Sequence, residues 1–270
     1  MKWVRRLALG LLGGVVGAYA AALVTLYVLQ RDFQYEPQGQ IFSLDEAGLA
    51  GLAEPVSIAT GGGAAVAGWY APPRQGQPLI VYYKGNSGSF SHEYERYAQF
   101  VADGFGFLAV DYRGFPMSPG DLSQDNVLED ALAAFDFAAA TGHALVIWGR
   151  SLGSGPASYV ASRREAAALL LETPFYSAVA VAHDRYWFFP VGWLMHDQYP
   201  VGEWIGAVEE PVYVAHGTAD ETIGTHHGRL VHAAAPNKAD LWIVEGAGHA
   251  DLWAAGIWPR ARTFFAQNAD

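Results

Sequence analysis

The chain contains no cysteine. That absence removes disulfides, thiolate nucleophiles and zinc–thiolate sites together, and it leaves the cellular compartment open. Basic charge is also scarce: 16 Lys and Arg stand against 27 Asp and Glu, a formal net charge of −11. A surface that binds nucleic acid needs a basic face to meet phosphate, so nucleic acid is not an expected partner. No internal repeat or low-complexity tract interrupts the chain. Its nine histidines include no His-x-x-x-His pair with a zinc-protease glutamate, and His226, His227 and His232 share one helical stretch, so no metal site is expected. Nothing demands a cofactor. What is abundant is apolar: 51% of the 270 residues are hydrophobic and 14% aromatic, ample for the core of one α/β domain plus an extra segment.

That extra segment lies at the amino end. Residues 7–29 carry no charge, and 23 residues at about 1.5 Å each suffice to cross a hydrocarbon core of about 30 Å. Lys2, Arg5 and Arg6 precede the run, so the positive-inside tendency places the amino terminus in the cytoplasm and the body on the periplasmic or extracytoplasmic side. The alternative is a signal peptide cleaved after Ala18-Tyr19-Ala20, with secretion of the body. The apolar run continues through Leu23, Val24, Leu26 and Val28, well past that point, and this favours a membrane anchor over residues 1–30. Residues 31–52 read as a polar connector whose Phe33, Tyr35 and Phe42 pack on the body or lie at the membrane interface.

From residue 53 to 270 the chain alternates between short apolar runs and helical patterns. Val56–Ala59 and Ala64–Tyr70 read as a hairpin around Gly61-Gly62-Gly63. Leu79–Tyr83, Phe107–Val110, Leu145–Trp148, Ala168–Leu171, Val212–Ala215 and Leu241–Val244 read as buried strands, and Tyr94–Ala102, Val127–Ala140 and Thr225–Ala235 as helices. Such β–α alternation predicts an α/β fold, a mostly parallel sheet with helices on both faces. Residues 176–207 break the rhythm. With Tyr186, Trp187, Phe188, Phe189, Trp193 and Trp204 and no clean strand, they read as a small cap over the carboxyl edge of the sheet, where open α/β folds keep their ligands.

The chemistry centres on Gly149-Arg150-Ser151-Leu152-Gly153, which follows the strand Leu145–Trp148 and precedes the helix start Ser154-Gly155-Pro156-Ala157. Strand, sharp turn and helix around Gly-x-Ser-x-Gly describe a nucleophile elbow. A serine hydroxyl needs a base in hydrogen-bond reach and a carboxylate to orient that base. Val212–Ala215 runs into a polar loop ending at Asp220, and Leu241–Val244 into a glycine-rich loop ending at His249, which makes the chain order Ser151, Asp220, His249 that of the elbow fold. Glu221 and Glu172 compete with Asp220 as the acid, and His216 reads as a structural donor in a strand-end turn. The tetrahedral oxyanion calls for two backbone donors: the N–H of Leu152, and one from Lys84-Gly85-Asn86-Ser87-Gly88-Ser89, where Asn86 is preferred over Ser87.

These residues resemble the α/β-hydrolase superfamily, and more narrowly its single-pass, membrane-anchored serine hydrolases. The likeness covers residues 53–267 and rests on Tyr83–Gly88, Asp111-Tyr112-Arg113-Gly114-Phe115 with Ser118-Pro119-Gly120, Gly149–Ala157, Leu171-Glu172-Thr173-Pro174-Phe175, His216–Asp220 and Gly248-His249, in the family order. It implies an eight-stranded sheet, a Ser151–His249–Asp220 triad, and cleavage of carboxylic esters or thioesters of apolar or lipid-like acyl substrates through an acyl-enzyme. Amidase or peptidase chemistry on the same fold, or a non-catalytic membrane-tethered protein, are the alternatives. Where such relatives usually have His-Gly-Asn, this chain has Lys84-Gly85-Asn86. Lys84 is expected either to bring a cation near the oxyanion side or to turn away into a salt bridge with an acid.

Overall fold

The computed structural model describes residues 1–269. Eight strands form one sheet: β1 (Glu54–Ala59), β2 (Ala65–Ala71), β3 (Leu79–Tyr83), β4 (Gly106–Val110), β5 (Leu145–Arg150), β6 (Ala168–Glu172), β7 (Val212–Gly217) and β8 (Lys238–Val244). Their spatial order is β1-β2-β4-β3-β5-β6-β7-β8. The β1–β2 and β2–β4 pairs are antiparallel and every other pair is parallel. Every residue of β3 through β7 except Arg150 is buried, which is why these strands read as unbroken apolar runs: a parallel sheet is covered on both faces.

The pleat sends alternate residues to opposite cores. Leu79, Val81 and Tyr83 of β3 join Ile147, Leu171 and Val214 on one face, against α3 (Gln124–Ala139), α4 (Ser154–Ala161) and α8 (Thr225–Ala234). Ile80 and Tyr82 join Trp148, Leu170 and Tyr213 on the other, against α2 (Tyr94–Ala102) and α9 (Ile257–Asn268). Ser123 caps α3 by accepting the N–H of Asn126 at 3.2 Å, supplying one partner for the helix's orphan donors.

The cap region holds α5 (Ala178–Arg185), α6 (Val191–Leu194) and α7 (Val201–Trp204) and contains no strand. Its aromatics divide. Trp204 packs on Tyr159 of α4 in the body and on Tyr199 of the cap itself, whereas Trp187, Phe188 and Trp193 are exposed.

The amino-terminal helix corrects one expectation. α1 runs Lys2–Gln34, so the connector expected from residue 31 begins four residues later. The reason is tertiary: Arg31 pairs with Asp197 at 2.9 Å, Gln34 donates to the Asp197 carbonyl at 3.1 Å, and Tyr35 donates to the Asp197 carboxylate at 3.1 Å. The cap thus supplies partners that hold the last turn helical. Within the connector Tyr35 is buried, and Phe42 packs on His92 and Tyr94. None of α1 is buried, and it is long and apolar enough to cross a membrane.

Candidate active site

Ser151 stands just past β5 with φ 52°, a left-handed conformation that side chains other than glycine rarely adopt. Gly149 and Gly153 make that turn possible, and Gly155 lets the cap's Tyr199 ring close on the helix that follows. A Cβ on Gly149 would lie 2.5 Å from that of Ala157, one on Gly153 would overlap the Tyr83 carbonyl, and one on Gly155 would lie 2.5 Å from the Tyr199 ring. Helix α4 therefore packs directly on the sheet, and Pro156 sits in its first turn, where no N–H is needed.

Strands β7 and β8 carry the other two groups to the same edge. His249 Nε2 lies 2.8 Å from Ser151 Oγ, and its Nδ1 lies 2.7 Å from Asp220 Oδ2. A carboxylate only accepts, so Nδ1 carries the proton and Nε2 is free to accept from the hydroxyl. The other oxygen of Asp220 accepts the N–H of Thr222 at 2.9 Å and of Ile223 at 2.8 Å. Burial pushes this carboxyl up, but hydrogen bonds from His216, His249 and Ile223 outweigh it and hold the group well below the usual carboxylate range.

His216 is the residue whose role the sequence understates. Fully buried on β7, it places Nε2 2.8 Å from the Ile223 carbonyl and 3.2 Å from Asp220 Oδ2, so it braces the acid from behind. Its spacing of four residues from Asp220 was the available signal. Of the competing acids, Glu221 is exposed and Glu172 is engaged elsewhere. Glu172, fully buried, takes both Nη atoms of Arg96 at 2.8 and 2.9 Å and the indole N–H of Trp148 at 3.0 Å. Glu93 accepts from Arg150 at 2.8 Å and pairs with Arg96 Nε at 2.7 Å, so a charge network lies behind the elbow. Glu172→Ala leaves the Arg96 guanidinium short of a partner in a dry site, and we expect a loss of about 3–5 kcal/mol in denaturant unfolding. A loss below about 1 kcal/mol would show that water replaces the carboxylate.

Lys84 meets neither expectation. It is 2% exposed and does not line the pocket; its ammonium donates to the carbonyls of Gly88 at 2.7 Å and Gly85 at 3.2 Å and lies 3.5 Å from the Phe115 ring centre. Among the described residues no acid pairs with it; Asp111 is taken by the N–H groups of Phe90 at 2.7 Å and Met117 at 3.1 Å. Lys84 therefore ties the 84–88 loop to itself. From the other side Glu36 N–H donates to the Asn86 carbonyl at 2.9 Å and Gly88 N–H to the Glu36 carbonyl at 2.9 Å, so the segment after α1 clamps the same loop. Burial lowers the Lys84 ammonium from its ordinary 10.5 to about 7. The folded protein then binds fewer protons than the unfolded chain between those values, and stability rises with pH across that interval. In Lys84→Met this rise should be missing when unfolding midpoints at pH 6.5, 8 and 9.5 are compared with wild type; an unchanged slope would refute it.

A pocket of about 240 Å³ opens above Ser151. Asn86 and Leu152 line it beside the serine and Ser87 does not. Phe175 after β6 and Val181, Tyr186, Val191 and Leu194 of the cap region form one wall, and Leu26, Gln30, Phe33 and Gln34 of α1 another. Next to it Asp184 of α5 meets Nε2 of His226 at 2.9 Å and of His227 at 3.1 Å, fastening the cap to α8. The sequence kept these histidines apart from any partner because Asp184 comes from a distant element.

Sheet order, strained serine and the loops at one edge define the nucleophile-elbow class of α/β proteins. No family model matches the chain. An uncharacterised protein of Mycobacterium tuberculosis is 32% identical over 246 residues, spanning 88% of this chain and 86% of that protein. Human alpha/beta hydrolase domain-containing protein 17C is 34% identical over 154 residues, which are 54% of this chain and 44% of that longer protein. Among solved structures, an esterase of Pyrococcus furiosus matches with a TM-score of 0.69 at 17% identity, over 88% of this chain and 99% of its own. A membrane phospholipase A described as a bacterial virulence factor matches with a TM-score of 0.62 at 16% identity over all of both chains. The chain belongs to the α/β-hydrolase superfamily, with the eight-stranded, mostly parallel sheet of that fold.

Proposed function

We propose that the protein is a membrane-anchored serine hydrolase that cleaves carboxylic esters or thioesters of apolar acyl groups. The observation that carries this reading is the pair of contacts at His249, 2.8 Å to Ser151 Oγ and 2.7 Å to Asp220, at a serine held in an elbow. His249 Nε2 takes the hydroxyl proton as Oγ bonds to the acyl carbon. The N–H groups of Leu152 and Asn86 receive the oxyanion. Collapse breaks the bond to the leaving oxygen or sulfur, which takes the proton from Nε2. Water then gives its proton to Nε2 and attacks the acyl-enzyme, and Oγ leaves with that proton as the carboxylic acid is released. Asp220 stays ionised and stabilises the imidazolium.

The apolar cap and α1 walls of the pocket favour an acyl chain over a polar group, and the presence of a phospholipase among the structural neighbours agrees with that direction. Lys2, Arg5 and Arg6 ahead of the apolar stretch of α1 favour a cytoplasmic amino terminus with the body across the membrane. A fluorophosphonate probe applied to membranes should label Ser151 in the wild type and nothing in Ser151→Ala, read by peptide mass spectrometry. The same digest reports whether residues 1–20 remain attached. Matched ester and amide substrates separate this reading from an amidase or peptidase, which would cleave both.

A further inference from the structure

The cap does more than cover the pocket. Residues 186–195, Tyr-Trp-Phe-Phe-Pro-Val-Gly-Trp-Leu-Met, form ten consecutive uncharged positions. Trp193 is 94% exposed, Trp187 72% and Phe188 51%. Contiguous apolar exposure of this kind marks a surface that meets something other than water.

Its position names the partner. The cap runs along α1: His196 N–H donates to Gln30 at 2.7 Å, Tyr19 donates to the Phe188 carbonyl at 2.9 Å, and the Tyr19 and Phe189 rings stack at 5.1 Å. Eleven residues separate Gln30 from Tyr19, about 16 Å along a helix. Both the Phe188 and Phe189 contacts therefore fall beside the uncharged 7–29 stretch of α1, the part that would lie in the hydrocarbon if α1 is the anchor. Polar residues resume at His196 and Asp197, level with Arg31, where the headgroups would lie. Tryptophan, with an apolar body and a polar N–H, suits the boundary between the two.

The same run also faces inward. Tyr186, Val191, Leu194 and Met195 line the pocket on one side, and Leu26 and Phe33 of α1 line it on the other. The pocket is thus walled by α1 and by the apolar run that packs along it.

We propose that residues 186–195 insert into the bilayer leaflet on the side of the body, beside α1, and that the pocket takes its acyl chain sideways from a phospholipid of that leaflet. This rests on reading α1 as a membrane anchor and the site as an acyl hydrolase. The anchor is then part of the binding site as well as a tether. Insertion removes the exposed rings from water, and an interfacial burial depth of about 5–10 Å is that of known interfacial attachments.

Because the chain lacks cysteine, Trp193→Cys provides a single labelling position. The full chain, labelled there with nitrobenzoxadiazole, is reconstituted in phosphatidylcholine–phosphatidylglycerol vesicles with or without doxyl-labelled acyl chains. Glu165→Cys, exposed in the turn entering β6 at the opposite edge of the sheet, is the reference. We expect doxyl lipid to quench the residue-193 label by at least half and leave the residue-165 label unchanged, with iodide doing the reverse. Equal quenching at the two positions overturns the proposal. So does a residue-193 label shielded from iodide yet untouched by doxyl lipid, the signature of a second copy or another protein on this face.

A second measurement tests the route of the acyl chain. Trp187→Ser/Trp193→Ser should hydrolyse a short p-nitrophenyl ester in micelles within about twofold of wild type and a long-chain phospholipid in vesicles at least tenfold more slowly. Equal slowing on both substrates, or no slowing on either, overturns lateral uptake. Should wild type cleave neither substrate, the hydrolase reading fails while the quenching still decides insertion.

Discussion

Ser151→Ala and His249→Ala should each lower the turnover of a p-nitrophenyl ester by up to about a millionfold, the scale seen when the nucleophile or base of such a triad is removed. The expected loss is large because in the proposed mechanism the two groups act as one device, with Nε2 at 2.8 Å turning a weakly acidic hydroxyl into a nucleophile. For the same reason the double variant should be no slower than either single one. Ser151→Ala only shortens a side chain at the pocket, so its thermal midpoint should stay near that of wild type and separate lost chemistry from lost folding, whereas His249→Ala also takes one partner from the buried Asp220 carboxylate. Undiminished esterase activity in His249→Ala would remove His249 from its role, and with it the proposed mechanism.

Asp220→Asn is expected to lower turnover by about 10⁴, the cost of presenting the imidazole in the wrong tautomer. The amide introduced by this substitution can donate toward Nδ1, which then no longer carries its proton, and Nε2 loses its lone pair to the hydroxyl. Thr222 and Ile223 hold the other oxygen at 2.9 and 2.8 Å, so the geometry should survive the exchange. A second readout comes from acid. A carboxyl held below its ordinary 3.8 in the folded state contributes stability that is complete above that value and lost as pH falls through the folded one. The gap in stability between wild type and Asp220→Asn should therefore narrow below about pH 4. A gap that is constant with pH would mean that the folded carboxyl is not depressed.

The strands were legible because a doubly covered parallel sheet writes continuous apolar runs into the chain, and Leu79–Tyr83 or Ala168–Leu171 admit few other readings. The edge strand β8 was legible only from Leu241, since its first residues are exposed and carry Lys238 and Asp240. The elbow announced itself through glycines whose absent Cβ atoms the turn requires. Lys84 was not legible. Whether a lysine faces solvent, an acid or its own carbonyls depends on what surrounds it, and here Phe115 and the loop carbonyls come together only after β3 and β4 pair. Arg150, an unspecified position in the Gly-x-Ser-x-Gly pattern, likewise gained its meaning from Glu93 and Glu172, 57 and 22 residues away.

Local sequence determined the strands, the elbow, the chain order Ser151, Asp220, His249 and the uncharged stretch of α1, because each depends on neighbours within a few residues or on the two-residue period of a strand. Only the tertiary structure decided that α1 extends to Gln34, that it walls the pocket, that its following segment clamps the 84–88 loop, and that Trp187, Phe188 and Trp193 of the cap face outward. Those outcomes rest on contacts such as Tyr19 with Phe188 and Arg31 with Asp197, between residues more than 160 positions apart. No pattern within either segment encodes such a meeting; it follows from where the completed sheet puts them.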